Sequence, residues 1–153
     1  MTSKIATLTL ALALAACGPH FKAEVPAGFV ELENAYDAYD FRATTADGLV
    51  FAIREQKHKP KGELGFWLQA IKNKLRDEGG YALIESVDVT TGDGHKGTQL
   101  RFGHDEGNKP YLYYVSVFVT DGYLYLVEIG GTKEQLAAGQ KDLDGALAKL
   151  DLD

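Results

Sequence analysis

Two segments late in the chain, residues 111–120 and 123–129, constrain its fold more than any other stretch. They flank Asp121-Gly122, two residues that tolerate positive φ and so favour a two-residue hairpin turn. With that turn, Phe118 faces Tyr125, Val117 faces Leu126 and Val115 faces Glu128. Both faces of both strands are then largely apolar. Both must be covered, which places the pair at the centre of a sheet. Glu128 is the exception. A carboxylate on a covered strand needs a cation or hydrogen-bond donors, and Arg42, Arg54 and Arg101 are the candidates. A structural ion pair is expected there before a catalytic acid, because the pattern sets no second carboxylate beside it.

Upstream of this hairpin the alternation of apolar and polar residues predicts further strands. Phe29 to Leu32 reads as a short strand. Tyr39, Phe41 and Ala43 alternate with polar residues, as do Leu49, Phe51 and Ile53, across an Ala46-Asp47-Gly48 turn. Tyr81, Leu83, Val87 and Val89 form one more strand, and residues 92–97 turn it into residues 98–104. Between these hairpins the period changes. Leu64, Trp67, Leu68, Ile71 and Leu75 make one stripe of a helix that Gly79-Gly80 stops, with Trp67 its anchor on the sheet. A last helix opens on Thr132 and Gln135, a capping box, and carries Leu136, Leu143, Leu147 and Leu150. Gly139 and Gly145 weaken it, so docking must hold it in place.

One helix before the main meander and one after it can cover opposite faces of an antiparallel sheet. The expected class is α/β of the α+β type, an α/β/α sandwich over residues 26–153. A sheet covered on one face only, as in cystatin-like domains, is the rival. The order of elements resembles the PsbP-like family. The carriers are Pro26-Ala27-Gly28-Phe29, the Asp47-Gly48 hairpin, the Trp67 helix, the aromatic strands 111–118 and 123–127, and the closing amphipathic helix. The resemblance implies a module that binds partners in assembly or regulation, generally without catalysis. It carries over no binding residue.

The N-terminal 16 residues read as an export signal: Lys4, then an apolar run to Ala16 that is too short for a spanning helix. The site Leu14-Ala15-Ala16-Cys17 resembles the lipobox of bacterial lipoproteins, which implies diacylglycerol on Cys17. Two or three acyl chains make such attachment effectively stable. Gly18 stands where, in the lipoproteins this resembles, an aspartate favours retention in the inner membrane. The implied address is therefore the outer membrane, facing the periplasm. Residues 17–25 are expected to be the lipidated cysteine and a short linker. Cys17 is the only cysteine, so no disulfide supports the fold.

Loss of Lys4 with the signal moves the formal charge from -6 to -7, which argues against nucleic acid as a partner. Against that acidic body stands a basic cluster, Arg54, Lys57, His58, Lys59 and Lys61, a candidate contact for an anionic envelope component. His95 beside Asp93, and His104 before Asp105 and Glu106, offer donor atoms for a divalent metal, but their spacing matches no established motif, and no metal or other cofactor is assigned. The only serines after residue 17 are Ser86 and Ser116, neither in a nucleophile elbow. Tyr111, Tyr113, Tyr114, Tyr123 and Tyr125 are expected to pack in the central strands. The expectation is a lipid-anchored binding or assembly module for a protein or envelope component, not an enzyme. The alternative is a periplasmic carrier of a small molecule or metal.

Overall fold

The computed structural model describes residues 18–33 and 38–152. The central hairpin forms with the expected register. β7 (Lys109–Val119) and β8 (Tyr123–Thr132) pair Phe118 with Tyr125, Val117 with Leu126 and Val115 with Glu128. Around it β2 (Val30–Glu31), β3 (Phe41–Thr44), β4 (Val50–Lys57), β5 (Ala82–Thr90) and β6 (Lys96–Glu106) complete a seven-stranded antiparallel sheet, ordered β2-β3-β4-β8-β7-β6-β5. The two central strands are flanked on both sides, as their two apolar faces require.

The helices α1 (Leu64–Gly79) and α2 (Lys133–Ala148) cover opposite faces. This settles against the one-face alternative. Leu136, Leu143 and Leu147 of α2 are buried with Phe51, Ile53, Phe118, Tyr125, Val127 and Ile129. The capping box forms: Gln135 N–H donates to the Thr132 hydroxyl at 3.3 Å, and the Gln135 side chain accepts from Thr132 N–H at 2.8 Å. On the other face Leu64, Trp67, Leu68, Ile71 and Leu75 pack against Leu100, Phe102, Val115, Val117 and Leu124. Gly80, at φ 67°, ends α1 in the left-handed conformation, and its N–H reaches the Leu75 carbonyl.

Four local features differ from the sequence expectation. Residues 20–22 are not free linker. β1 (Phe21–Lys22) pairs with β9 (Asp151–Leu152), and Phe21 is buried against Tyr125, because an exposed phenylalanine beside an open core edge gains by docking. The β5 strand is not one continuous alternation. A register shift between Leu83 and Glu85 turns Leu83 toward the α1 side and Val87 and Val89 toward the α2 side, and it twists an edge strand that exposes Ile84. The β6–β7 hairpin is longer than expected and closes on Gly107-Asn108, with φ of 55° and 66°, a mirror-image turn. The Asp121-Gly122 turn, by contrast, has no positive φ. Its carbonyls are turned toward a neighbouring loop, described below.

Candidate binding cleft under the first helix

β4 and β8 are adjacent, so Arg54 and Glu128 fall on the same face as α1, one diagonal step apart across the ladder. Among the three candidate cations, the neighbour Arg54 takes the carboxylate. Arg101 is two strands away and bonds Glu85 at 2.8 Å. Arg54 Nε donates to Glu128 Oε2 at 3.1 Å, and its Nη2 donates to Oε1. Tyr113, from β7 on the other side of β8, donates its hydroxyl to the same Oε1 at 2.5 Å. Glu128 is only 4 % exposed, and both of its oxygens are engaged.

The electrostatics follow from that burial. Burial raises the Tyr113 phenol well above its ordinary value, and the Glu128 charge adds to it. Tyr39 is raised for the same two reasons, burial first. Burial works against the charge of Arg54, but the hydrogen bond and charge of Glu128 outweigh it and hold the guanidinium above its usual value. The Arg54 guanidinium also lies over the Tyr39 ring, 5.1 Å from its centroid. Both shifts keep the Tyr113 and Tyr39 phenols neutral at neutral pH, beside the Arg54–Glu128 salt bridge.

Above the cluster α1 stands off the sheet and leaves a cavity of about 320 Å³. Trp67, Ile71, Leu75, Leu124 and Leu126 make its apolar wall, Arg54, Tyr113 and Glu128 its polar floor, and Lys74 stands at its rim. A space of this size and lining suits an apolar group with one polar end. Sequence periodicity placed Trp67, Ile71 and Leu75 on the helix stripe and Leu124 and Leu126 on the second central strand. It could not show that the helix stands away from the sheet at this point.

The basic cluster divides into two roles. His58 is buried, 6 % exposed. Its Nδ1 donates to the Thr120 carbonyl at 2.9 Å, and its Nε2 lies 2.8 Å from the Gly62 carbonyl oxygen, 2.9 Å from the Gly62 nitrogen and 3.3 Å from the Trp67 indole nitrogen. His58 N–H donates to the Gly122 carbonyl at 2.9 Å, and the Lys61 ammonium to the Asp121 carbonyl. The loop thus satisfies three successive carbonyls of the β7–β8 turn, and His58 is its internal fastening, not a surface contact. Lys57, Lys59 and Lys61 remain exposed.

The histidines considered for metal do not meet. His95 lies in the β5–β6 turn and His104 near the other end of β6, roughly 27 Å away along the strand. Among the described residues no group of three His, Cys, Asp or Glu side chains is placed to hold a metal. Asp93 instead accepts from Leu152 N–H at 2.9 Å, from the His95 ring at 2.8 Å and from the Thr91 hydroxyl. His104 lies against the rings of Tyr81 and Tyr111. The five tyrosines of β7 and β8 divide between faces: Tyr111 and Tyr113 toward α1, Tyr114, Tyr123 and Tyr125 toward α2. Cys17 lies outside the described residues. No described helix is long and apolar enough to cross a membrane.

No family model matches the chain, and no curated protein sequence does. Solved structures do. Cyanobacterial PsbP from Synechocystis superposes with a TM-score of 0.59 at 12% identity, over 88% of this chain and 87% of that one. The fold is PsbP-like. LpqN of Mycobacterium tuberculosis, described as involved in cell envelope biogenesis, shares the PsbP-like arrangement with a TM-score of 0.67 at 12% identity, over 86% of this chain and 82% of its own. A Pseudomonas aeruginosa protein of unknown function matches with a TM-score of 0.59 at 11% identity, over 90% and 85% of the two chains. At these identities the likeness establishes the fold alone.

Proposed function

We propose that this PsbP-like chain is a lipid-anchored envelope protein, facing the periplasm from the outer membrane, that binds a protein or envelope component and performs no chemistry. The observation that carries this reading is the cleft under α1. It is preformed and mostly apolar, and its one buried carboxylate has both oxygens committed to Arg54 and Tyr113. A general acid or base needs an oxygen aimed at its substrate. Those of Glu128 are aimed at the protein, which suits a floor that positions a ligand. The envelope role described for LpqN and the lipobox-like Leu14-Ala15-Ala16-Cys17 support the location.

In-cell crosslinking tests it. The full chain, a periplasmic form without Cys17 and an Ala70→Trp variant are compared; Ala70 is exposed at the cavity rim, where an indole fills the opening. One envelope component is expected with the full chain, reduced without Cys17 and lost with Ala70→Trp. Recovery that ignores Ala70→Trp removes the cleft from the interface. No specific component with any form removes the binding-module reading.

The cavity volume favours a second reading, a small-molecule carrier, since it lies at the lower end of small-molecule sites. Native mass spectrometry of protein purified without detergent exchange separates the two. A stoichiometric small ligand, displaced by Ala70→Trp, selects the carrier.

A further inference from the structure

We propose that the end of the domain carrying the loop of residues 58–63 rests on the bilayer, and that Lys57, Lys59 and Lys61 contact the phosphates of anionic lipid there. This rests on the reading of Cys17 as acylated.

The geometry begins with His20. Its N–H donates to Glu55 Oε2 at 2.6 Å, and its ring Nδ1 bonds Glu55 Oε1 at 2.7 Å. The ring stacks on Tyr123 with centroids 4.2 Å apart, and the Tyr125 hydroxyl donates to the His20 carbonyl at 3.0 Å. Together with the β1–β9 pair, these contacts pin the chain to the sheet until it leaves at residue 19. The point of departure adjoins the lysines. Glu55 and Lys57 lie on one face of β4, and Lys57 is directly opposite Tyr123.

Cys17 is three residues before His20, so their Cα atoms are at most about 11 Å apart whatever the path between them. β8, which begins at Tyr123, runs roughly 30 Å to the opposite end of the molecule. Lys109 and Lys133 stand at that far end, beside the Gly107-Asn108 turn and at the start of α2. A lipid on Cys17 therefore holds the lysine-bearing end near the bilayer and the far end away from it.

The chain leaves beside Tyr123 on the α2 side of this end, so the end and the α2 side are the surfaces the tether brings nearest the bilayer. Charge separates them. The outer surface of α2 sets Glu134, Asp142 and Asp144 beside Lys133 and Lys141, an excess of negative charge. The loop tip sets Lys57, Lys59 and Lys61 beside Glu63 and Asp121, a local excess of positive charge on an acidic protein, while behind it Glu55 is bonded to His20 and Asp40 accepts from the Glu55 N–H. The Lys57 and Lys59 ammonium groups have no partner among the described residues, and an anionic surface attracts such groups over a Debye length.

The test uses full-length protein purified from membranes, after intact mass has established diacylglycerol on Cys17. It is reconstituted into vesicles one-third phosphatidylglycerol, into vesicles of phosphatidylcholine alone, and into detergent. Brief amine acetylation and peptide mass spectrometry then read each lysine. On the anionic vesicles Lys57, Lys59 and Lys61 are expected to react about fivefold more slowly than in detergent, the factor that ~1 kcal/mol per lysine implies. Lys109 and Lys133 should be unchanged, and high salt should abolish the protection. Equal labelling of the two ends overturns the proposal, and so does protection of the same size on phosphatidylcholine. If Cys17 carries no diacylglycerol, the anchor reading itself falls, and this proposal with it.

Discussion

The two faces of the sheet are covered by helices of equal length, 16 residues each, yet they differ in how they are closed. α2 buries Leu136, Leu143, Ala146 and Leu147, while α1 has no fully buried residue. On the α2 side the β1–β9 pair completes the seal, with Phe21 and Leu152 joining the core and Asp93 holding Leu152. On the α1 side a cavity and an ion pair occupy the space that side chains fill opposite. The difference assigns labour. The α2 face holds the larger and tighter share of the apolar core, so it should carry more of the stability, and the α1 face keeps open space.

The largest expected effects probe that division directly. Leu143→Ala should destabilise by about 3–5 kcal/mol, since Leu143 is 1% exposed in a well-packed core. The matched truncation Ile71→Ala, on a half-buried helix that already borders a cavity, should cost about 1–2 kcal/mol. Urea unfolding of both reads the ratio, and equal costs would break the contrast. Arg54→Met is the exception on the α1 face. It leaves Glu128 buried without its cation and should cost about 3 kcal/mol, with Tyr113→Phe nearer 1 kcal/mol.

Much of the α2 face was legible in the sequence because its signals are local. The capping box, the leucine stripe and the pairing of Phe118 with Tyr125 each depend on residues a few positions apart or across one tight turn. What the sequence hid is non-local. Phe21 finds its place only through a strand contributed by the other end of the chain. The register shift between Leu83 and Glu85 inverts the faces of β5 without a marker residue, whereas Gly107-Asn108 was a turn signal open to reading. At the candidate site the burial of Glu128 and its need for a cation or hydrogen-bond donors followed from the register. The choice of Arg54 followed only from β4 lying beside β8, and the inward turn of His58 only from the loop docking on the β7–β8 turn.

The faces should also set opposite pH limits. Asp93 seals the α2 side. Burial alone would raise its carboxyl, but hydrogen bonds from Thr91, Leu152 and His95 bring it down to about 2, below its unfolded value of 3.8. An unfolded chain then takes up that proton first. The stabilisation is full above pH 4 and is lost as the pH falls from about 4 to about 2. Tyr113 on the α1 side is raised above its unfolded value of 10.0, so its contribution is full below pH 10 and is lost as the pH rises beyond it. Urea midpoints across pH should show Asp93→Asn flattening the acid slope alone and Tyr113→Phe the alkaline slope alone. If both variants change the same limb, the two faces are not energetically separate.

The smallest effect is the sharpest test of α2 packing, because it sets two glycines of one helix against each other. A methyl at Gly139 would come within 2.6 Å of Leu49 Cδ2, and Leu49 is itself 2% exposed and has nowhere to retreat. A methyl at Gly145 meets nothing within 4 Å. Both substitutions to alanine gain about 1 kcal/mol of helix propensity. At Gly145 that gain should stand alone and stabilise the protein. At Gly139 overpacking against the β3–β4 hairpin should outweigh it, for a net loss of about 1 kcal/mol. Both thus depend on how closely α2 sits on the sheet, and a stabilising Gly139→Ala would mean that this face is looser than its buried leucines imply. The α1 face would then no longer be the more open of the two by default, and the cleft beneath it would need binding data alone to set it apart.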